Sequence, residues 1–309
     1  MLDERASGVF TIAATPFRPD GALDLDSLDR LVDFYLDKGA NGLTILGMMG
    51  EAGKLSAEEA VAVTRRVISR TSVPVVVGVS APGFAAVTAL AKAAMDAGAA
   101  GVMVAPAAGL RSDAQITGYF EQAAEMLQDI PFVLQDFPLA TQVQIPTSVI
   151  LKIVENCPTC VMLKHEDWPG LDKISALRAA SDRGARRISV LCGNGGLYLP
   201  EELARGADGA MTGFSYPEMM AQVIATWTAG DIERAYDIFD AYLPLIRYEA
   251  QPGLGLAIRK TIFARRGALE SAALRQPGAA LSRSAEAEID RLLQRQALRL
   301  ASLGLSTGD

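Results

Sequence analysis

Apolar residues along this chain gather in short bursts, separated by longer stretches with helical spacing. The plan is clearest where it repeats: DKGANGLTIL at 37–46, DAGAAGVMVA at 96–105 and ARGADGAMTG at 204–213. Each closes a helix-like run on a glycine (39, 98 and 206), sets a second glycine at 42, 101 and 209, and then turns apolar. The first glycine suits the left-handed position that ends a helix. The apolar run suits a parallel strand, which is covered on both faces and needs no polar alternation. Helix, glycine, short loop and strand therefore recur, the mark of repeated βα units.

Filling in between these anchors predicts strands over 9–14, 43–46, 73–79, 102–105, 132–135, 161–164, 188–192 and 210–212. The intervening segments are amphipathic. SLDRLVDFYLDKG places Leu28, Leu31, Val32 and Tyr35 on one face, and SAEEAVAVTRRVISR opens with Ser56 and Glu59 at the spacing of a capping box. Eight alternations predict an α/β fold of the (β/α)8 TIM-barrel type. A doubly wound open sheet is the alternative, but it usually carries a Gly-rich phosphate turn after its first strand. Here that strand runs into TPFRPDG. Past 213, four further segments read as helices: SYPEMMAQVIATWTAG, DIERAYDIFDAYLPLIRYEA, GLGLAIRKTIFARRG and SRSAEAEIDRLLQRQALRL. The expected division is a barrel over 1–230 and a C-terminal helical extension over 231–309. The extension is expected to pack on the barrel or on a neighbouring subunit, with no linker between them.

Composition narrows the partners. The 309 residues are 50% hydrophobic and 21% charged, with a formal net charge of −7, a globular profile. An acidic chain lacks the basic face that a phosphate backbone requires, so nucleic acid is not expected as a partner. No apolar run reaches the roughly 18 residues of a membrane span. MLDERASGVF carries charge where a signal peptide needs an apolar core, so the cytoplasm is the expected location. Cys157 and Cys160 form CPTC, but one histidine and one distant cysteine supply no second ligand pair for zinc. No metal and no cofactor is expected.

In a TIM barrel the chemistry lies at the C-terminal strand ends. The residues placed there are Thr15 and Pro16, GMMGE (47–51), Ser80, Pro106, QDFP (135–138), KHE (164–166), CGNGG (192–196) and TGFSYP (212–217). Of the lysines, Lys38, Lys92, Lys152 and Lys173 fall on helices or at helix ends, where a solvated ammonium is expected; Lys260 lies in the C-terminal helices and Lys54 in a loop. Lys164 alone sits at the mouth directly on a strand. A lysine desolvated there loses proton affinity, and its neutral amine can attack a carbonyl to form a Schiff base. The protonated imine is an electron sink for aldol cleavage, aldol addition or loss of water. The bland alternative is a structural lysine paired with Glu166 or Asp136. Strand alternation turns His165 away from Lys164, toward a packing role, and Tyr216 is expected at the surface.

With these motifs in place the chain resembles the dihydrodipicolinate synthase and N-acetylneuraminate lyase superfamily of Schiff-base barrel enzymes. The likeness rests on TPF after strand one, GMMGE and LSAEE after strand two, the strand-six lysine, and GADGAMTG into strand eight. It implies Lys164 as the imine former, a homotetramer, and a GMMGE loop (Met48, Met49, Gly50, Glu51) that holds the carboxylate of a 2-oxo acid. The chain also departs from the family pattern. The family loop normally reads GTTGE or GSTGE, whereas Met48 and Met49 offer no hydroxyl, which leaves backbone N–H groups to bind the carboxylate. Gln135 stands where the family places a proton-shuttling tyrosine, and an amide has no useful pKa for that task.

VLQDFP, LKHE, GAMTG and AYLPLIRYE look like the 2-keto-3-deoxy-L-arabonate dehydratases. That likeness implies that Gln135 orients substrate, Lys164 forms the imine and Glu166 moves the C3 proton. Asp136, Gly193, Asn194 and Thr212 are further candidate substrate contacts. The strand-three loop VSAPGF lacks the histidine of that group. The expected activity is dehydration of a 2-keto-3-deoxy sugar acid. The rivals are a pyruvate aldolase or a dihydrodipicolinate synthase on the same site, and a 2-oxo acid-binding protein without catalysis.

Overall fold

The computed structural model describes residues 1–306. Eight parallel strands close into a barrel in chain order: β1 (Gly8–Ile12), β2 (Gly42–Ile45), β3 (Val75–Gly78), β4 (Gly101–Val104), β5 (Phe132–Asp136), β6 (Cys160–His165), β7 (Ser189–Cys192) and β8 (Gly209–Ala210). Each lies within a residue or two of an apolar burst. The strand at 210–212 is the shortest, and its pairing explains why. Gly209 pairs with Gly8 so closely that a Cβ on Gly209 would stand 2.1 Å from the Gly8 carbonyl oxygen. Only glycine permits that approach, and the chain leaves the sheet two residues later.

Around the ring run α1 (Leu25–Asp37), α2 (Ala57–Arg70), α3 (Phe84–Asp96), α4 (Asp113–Leu127), the short α5 (Pro138–Thr141), α6 (Thr147–Asn156), α7 (Leu171–Asp182), α8 (Leu199–Ala204) and α9 (Pro217–Thr228). The expected stripe of α1 is buried, with Leu28, Leu31, Val32 and Tyr35 all facing in. Ser56 and Glu59 form the capping box of α2, satisfying two backbone donors that a helix start leaves open. Inside the ring, Phe10, Ile12, Val76, Met103, Val133, Met162, Leu191 and Met211 pack together, so the barrel is filled by side chains and is not a pore. Among the described residues, no helix is long and apolar enough to cross a membrane.

Three more helices follow: α10 (Ile232–Glu249), α11 (Gly255–Arg265) and α12 (Arg283–Ser302). α10 packs against α9 and α12, and α11 reaches the mouth of the barrel. Its Lys260 is completely buried and donates to the carbonyl of Thr15 (2.7 Å), to Glu51 Oε1 (2.6 Å) and to the carbonyl of Ala273 (3.0 Å). Burial draws the Lys260 ammonium below its ordinary pKa, against the opposing pull of Glu51. Two expectations need correction here. Tyr216 is buried, with the Arg266 guanidinium 4.0 Å from its ring centroid. Lys173 is not a solvated helix lysine, because its Nζ lies 2.6 Å from Asp136 Oδ2 and 2.7 Å from Asp167 Oδ2.

Candidate active site

Alternation along β6 aims every second side chain into the mouth. Lys164 and Glu166, two positions apart, therefore meet. Lys164 Nζ is 2.9 Å from Glu166 Oε2, and both side chains are nearly inaccessible, at 6% and 8% exposure. The β5–β6 register sets Gln135 beside Lys164, and Gln135 Nε2 donates to the same Glu166 oxygen at 2.8 Å. The amine is thus not isolated in an apolar recess: it is paired with Glu166, the contact that a structural lysine would also make, and an opposite charge this close favours the charged form of each partner. Glu166 is no surface glutamate, and its Oε1 receives neither of these donors.

Glu166 also lines a cavity of about 360 Å³ at the C-terminal end of the barrel, with Met49, Phe137, Trp168, Asn194, Thr212, Phe214, Glu249 and Arg259 among its neighbours. The loop after β7 supplies its floor. A Cβ on Gly193 would stand 2.1 Å from Glu166 Cγ, so a residue without a side chain is what lets the glutamate lie flat there. Asn194 donates from Nδ2 to the backbone oxygen of Glu166 at 3.2 Å. Thr212 Oγ1 accepts from Gly195 N at 2.8 Å, tying the β7 loop to the end of β8.

The GMMGE segment folds as a single 3₁₀ turn over Met48–Gly50. Its bonds run from Gly50 N to the Gly47 carbonyl and from Glu51 N to the Met48 carbonyl, each 3.0 Å. A helical turn leaves its first N–H groups unused, so the amides of Met48 and Met49 stand at its open end. Met49 reaches the cavity while Met48 is exposed. Gly50 is held from behind, its carbonyl accepting from Thr15 Oγ1 at 2.6 Å. Glu51, expected among the substrate contacts, turns the other way. Its carboxylate is shared by Lys260 (2.6 Å) and Lys54 (2.7 Å) and also accepts from Arg275 N at 3.1 Å. It braces the loop against the C-terminal extension.

Asp136 likewise points away from Lys164, with Oδ2 on Lys173. Burial raises its carboxyl above the usual carboxylate range despite that ammonium. His165 faces out of the mouth, fully buried, with Nδ1 3.8 Å from Glu202 Oε1. Cys157 and Cys160 are both buried free thiols. Burial pushes the first up to about 11 and the second up to about 12, which keeps them protonated and unreactive near neutrality.

Two charged cavity residues escape a reading of strand ends, because both lie in the C-terminal helices. Arg259 of α11 and Glu249 of α10 form a buried ion pair, Nε to Oε2 at 2.8 Å. Ser215 anchors the glutamate through its hydroxyl and its N–H. Burial raises the Glu249 carboxyl above its usual range, against the opposing pull of Arg259. The Arg259 Nη1 lies against the sulfur of Met49, so the guanidinium meets a side chain of the GMMGE turn. For Arg259 the one sequence signal was its adjacency to Lys260 in the middle of α11, between the apolar runs GLAI and IFA.

A closed ring of eight parallel strands with ionisable side chains gathered at their C-terminal ends defines a TIM-barrel enzyme fold. The chain belongs to the Dihydrodipicolinate synthetase family, whose model matches residues 5–296, and is a lyase of that family. It is similar to the L-2-keto-3-deoxyarabonate dehydratase of Azospirillum brasilense, 29% identical over 297 residues that cover 94% of each chain. Among solved structures, the dihydrodipicolinate synthase of Rhodopseudomonas palustris shares 54% identity with a TM-score of 0.94, over 95% of this chain and 99% of that one. YagE of Escherichia coli K12, solved in complex with pyruvate, shares 25% identity with a TM-score of 0.85, over 94% and 98%.

Proposed function

We propose that this protein forms a Schiff base between Lys164 and a 2-oxo acid, and that it dehydrates a 2-keto-3-deoxy sugar acid. The observation that carries the reading is the place of the Lys164–Glu166 pair, at the C-terminal strand ends with Glu166 lining the cavity; the contact itself is shared with a structural lysine, and borohydride trapping separates the two. On substrate binding Lys164 passes its proton to Glu166, the group in contact with it, and the freed lone pair attacks the C2 carbonyl. Glu166 returns that proton to the carbinolamine hydroxyl, which leaves as water, and the iminium that remains lowers the barrier to removing a proton from C3. Glu166, ionised again and adjacent to the imine nitrogen, acts as the base. The resulting enamine expels the C4 hydroxyl, protonated on departure by the same carboxyl. In a five-carbon substrate a proton then leaves C5 and one is added at C3, and the enol so formed tautomerises, which turns the C5 alcohol into an aldehyde. Water hydrolyses the imine to release the semialdehyde and the amine. Gln135 fixes Glu166 Oε2 and cannot itself ionise, so proton traffic converges on one group.

The dehydratase relative supports this choice of reaction, and the pyruvate complex of YagE supports a 2-oxo acid as the ligand class. Synthase activity of the kind named for the Rhodopseudomonas palustris neighbour fits less well, because Gln135 stands where the family pattern places a phenol. A homotetramer in the cytoplasm is the assembly and location we expect of such an enzyme, and sedimentation measures the former. The decisive chemical test is borohydride reduction with pyruvate followed by intact and peptide mass. Covalent mass on Lys164, absent in Lys164→Ala, supports the imine; binding of pyruvate without that mass refutes it. Turnover of a panel of 2-keto-3-deoxy acids then separates reactions. Product oxidised by a semialdehyde dehydrogenase reports dehydration, and product consumed by lactate dehydrogenase reports aldol cleavage in its place.

A further inference from the structure

We propose that Arg259, projected into the barrel mouth by the C-terminal extension, binds the carboxylate of the 2-oxo acid and replaces the hydroxyl donors that Met48 and Met49 lack. The inference rests on the Schiff-base reading for the position of the substrate, and on four observations for the residue.

The first is cost. An arginine only 6% exposed has lost most of its water, and a buried guanidinium needs several acceptors to offset that loss. Arg259 has few. Nε is taken by Glu249 at 2.8 Å, and Nη1 has only the thioether of Met49, a weak acceptor. Among the described residues, Nη2 has no hydrogen-bond partner. A thioether is easily displaced by an oxygen anion, and two terminal nitrogens side by side match the two oxygens of a carboxylate.

The second is place. Arg259 lines the same cavity as Glu166, and its Nη1 lies against the side-chain sulfur of Met49, a residue of the GMMGE turn. A carboxylate held there faces the N–H groups of Met48 and Met49 from one side and the guanidinium from the other. The third is room. A Cβ on Gly213 would stand 2.9 Å from Arg259 Nη1 and 3.1 Å from the Ile12 carbonyl oxygen, so the chain past β8 carries no side chain where the guanidinium passes. The fourth is rigidity. Glu249, anchored by Ser215, holds Nε and fixes the plane of the fork, so little side-chain freedom is lost when an anion binds.

Chemical deletion of the charge on the ligand isolates this contact. Half-saturating concentrations for borohydride trapping are measured with pyruvate and with methyl pyruvate, which keeps the ketone and loses the negative charge. Arg259→Gln is expected to raise the pyruvate value about ten- to a hundredfold, the range of a charge-assisted hydrogen bond, and to leave methyl pyruvate unchanged. Arg259→Lys is expected to recover part of the loss. Equal shifts for both ligands would make Arg259 a structural strut, and an unchanged pyruvate value would assign it to the distal end of the substrate or to none; either result overturns the proposal. Should Arg259→Gln fail to fold with Glu249 left unpaired, the double variant Arg259→Met with Glu249→Gln removes both charges, and the same pyruvate-specific loss is expected. If the wild-type protein traps neither ligand, the Schiff-base reading fails on its own. Calorimetric titration of pyruvate into wild type and Arg259→Gln still decides the arginine, equal affinities refuting it.

Discussion

Replacing Gly193 with alanine tests whether the position of Glu166 governs the chemistry. The φ of Gly193 is −104°, outside the left-handed region, and the substitution brings a collision with Glu166. The new methyl would stand 2.1 Å from Glu166 Cγ and 2.7 Å from both Cδ and Oε1. Ordinary carbon–carbon contact is about 3.5–4.0 Å, so the glutamate must retreat by about 1.5 Å. That is enough to break the 2.9 Å contact with Lys164 and the 2.8 Å bond from Gln135. Misplacing a reacting group by 1 Å costs on the order of 10²-fold in rate, or about 2.7 kcal/mol of barrier. The assay is the single-turnover rate of imine trapping with pyruvate, alongside kcat for whichever 2-keto-3-deoxy acid turns over. Both should fall about a hundredfold, with the melting temperature recording whether the fold survives. A folded Gly193→Ala protein that keeps both rates within twofold would refute the claim that Glu166, held where it is, serves Lys164 and the substrate.

Three further outcomes follow from the same geometry. Glu166→Gln should still gain covalent mass on Lys164 under borohydride yet lose about 10²- to 10⁴-fold in turnover, the usual worth of a general acid–base; undiminished turnover would remove Glu166 from the reaction. Glu51→Gln leaves the buried Lys260 without its counter-ion, a change worth about 3–5 kcal/mol of stability, measurable as a lower urea midpoint. It should also weaken pyruvate trapping by loosening the GMMGE turn. The Arg275 side chain, hydrogen-bonded to both oxygens of Glu59 at 2.6 and 2.7 Å, holds that carboxyl down to about 2 from its usual 4.5. A depressed carboxylate contributes stability above its unfolded pKa and loses it as pH falls through the folded one. The melting-temperature gap between wild type and Glu59→Gln should therefore be full at pH 7, shrink from about 4.5 downward and close near pH 2; a gap constant with pH would contradict the pairing.

What the chain declared by itself was everything written in local pattern. A parallel strand covered on both faces must be apolar throughout, and a helix ending on glycine announces its own boundary, so all eight strands could be placed before any contact was known. Two-residue alternation on one strand was enough to put Lys164 and Glu166 on the same face and His165 on the other. Arg259, Glu249 and Lys260 had no such signal. The helix of Arg259 and Lys260 is buried on nearly every side, so these two follow no polar stripe and look like ordinary surface cations, and Glu249, at the end of α10, looks like an ordinary surface anion. Only closure of the barrel and the return of α10 and α11 across its mouth bring residue 259 to residue 49, and residue 260 to residue 51. The same closure turned Glu51 from a substrate contact into a brace, and moved Lys173 and Tyr216 from the expected surface to the interior. Spacing along a strand dictates which way a side chain points, but which charges meet is settled by desolvation. Once packing has removed water, a buried ion must find whatever partner the fold brings within reach, however far away it lies in sequence.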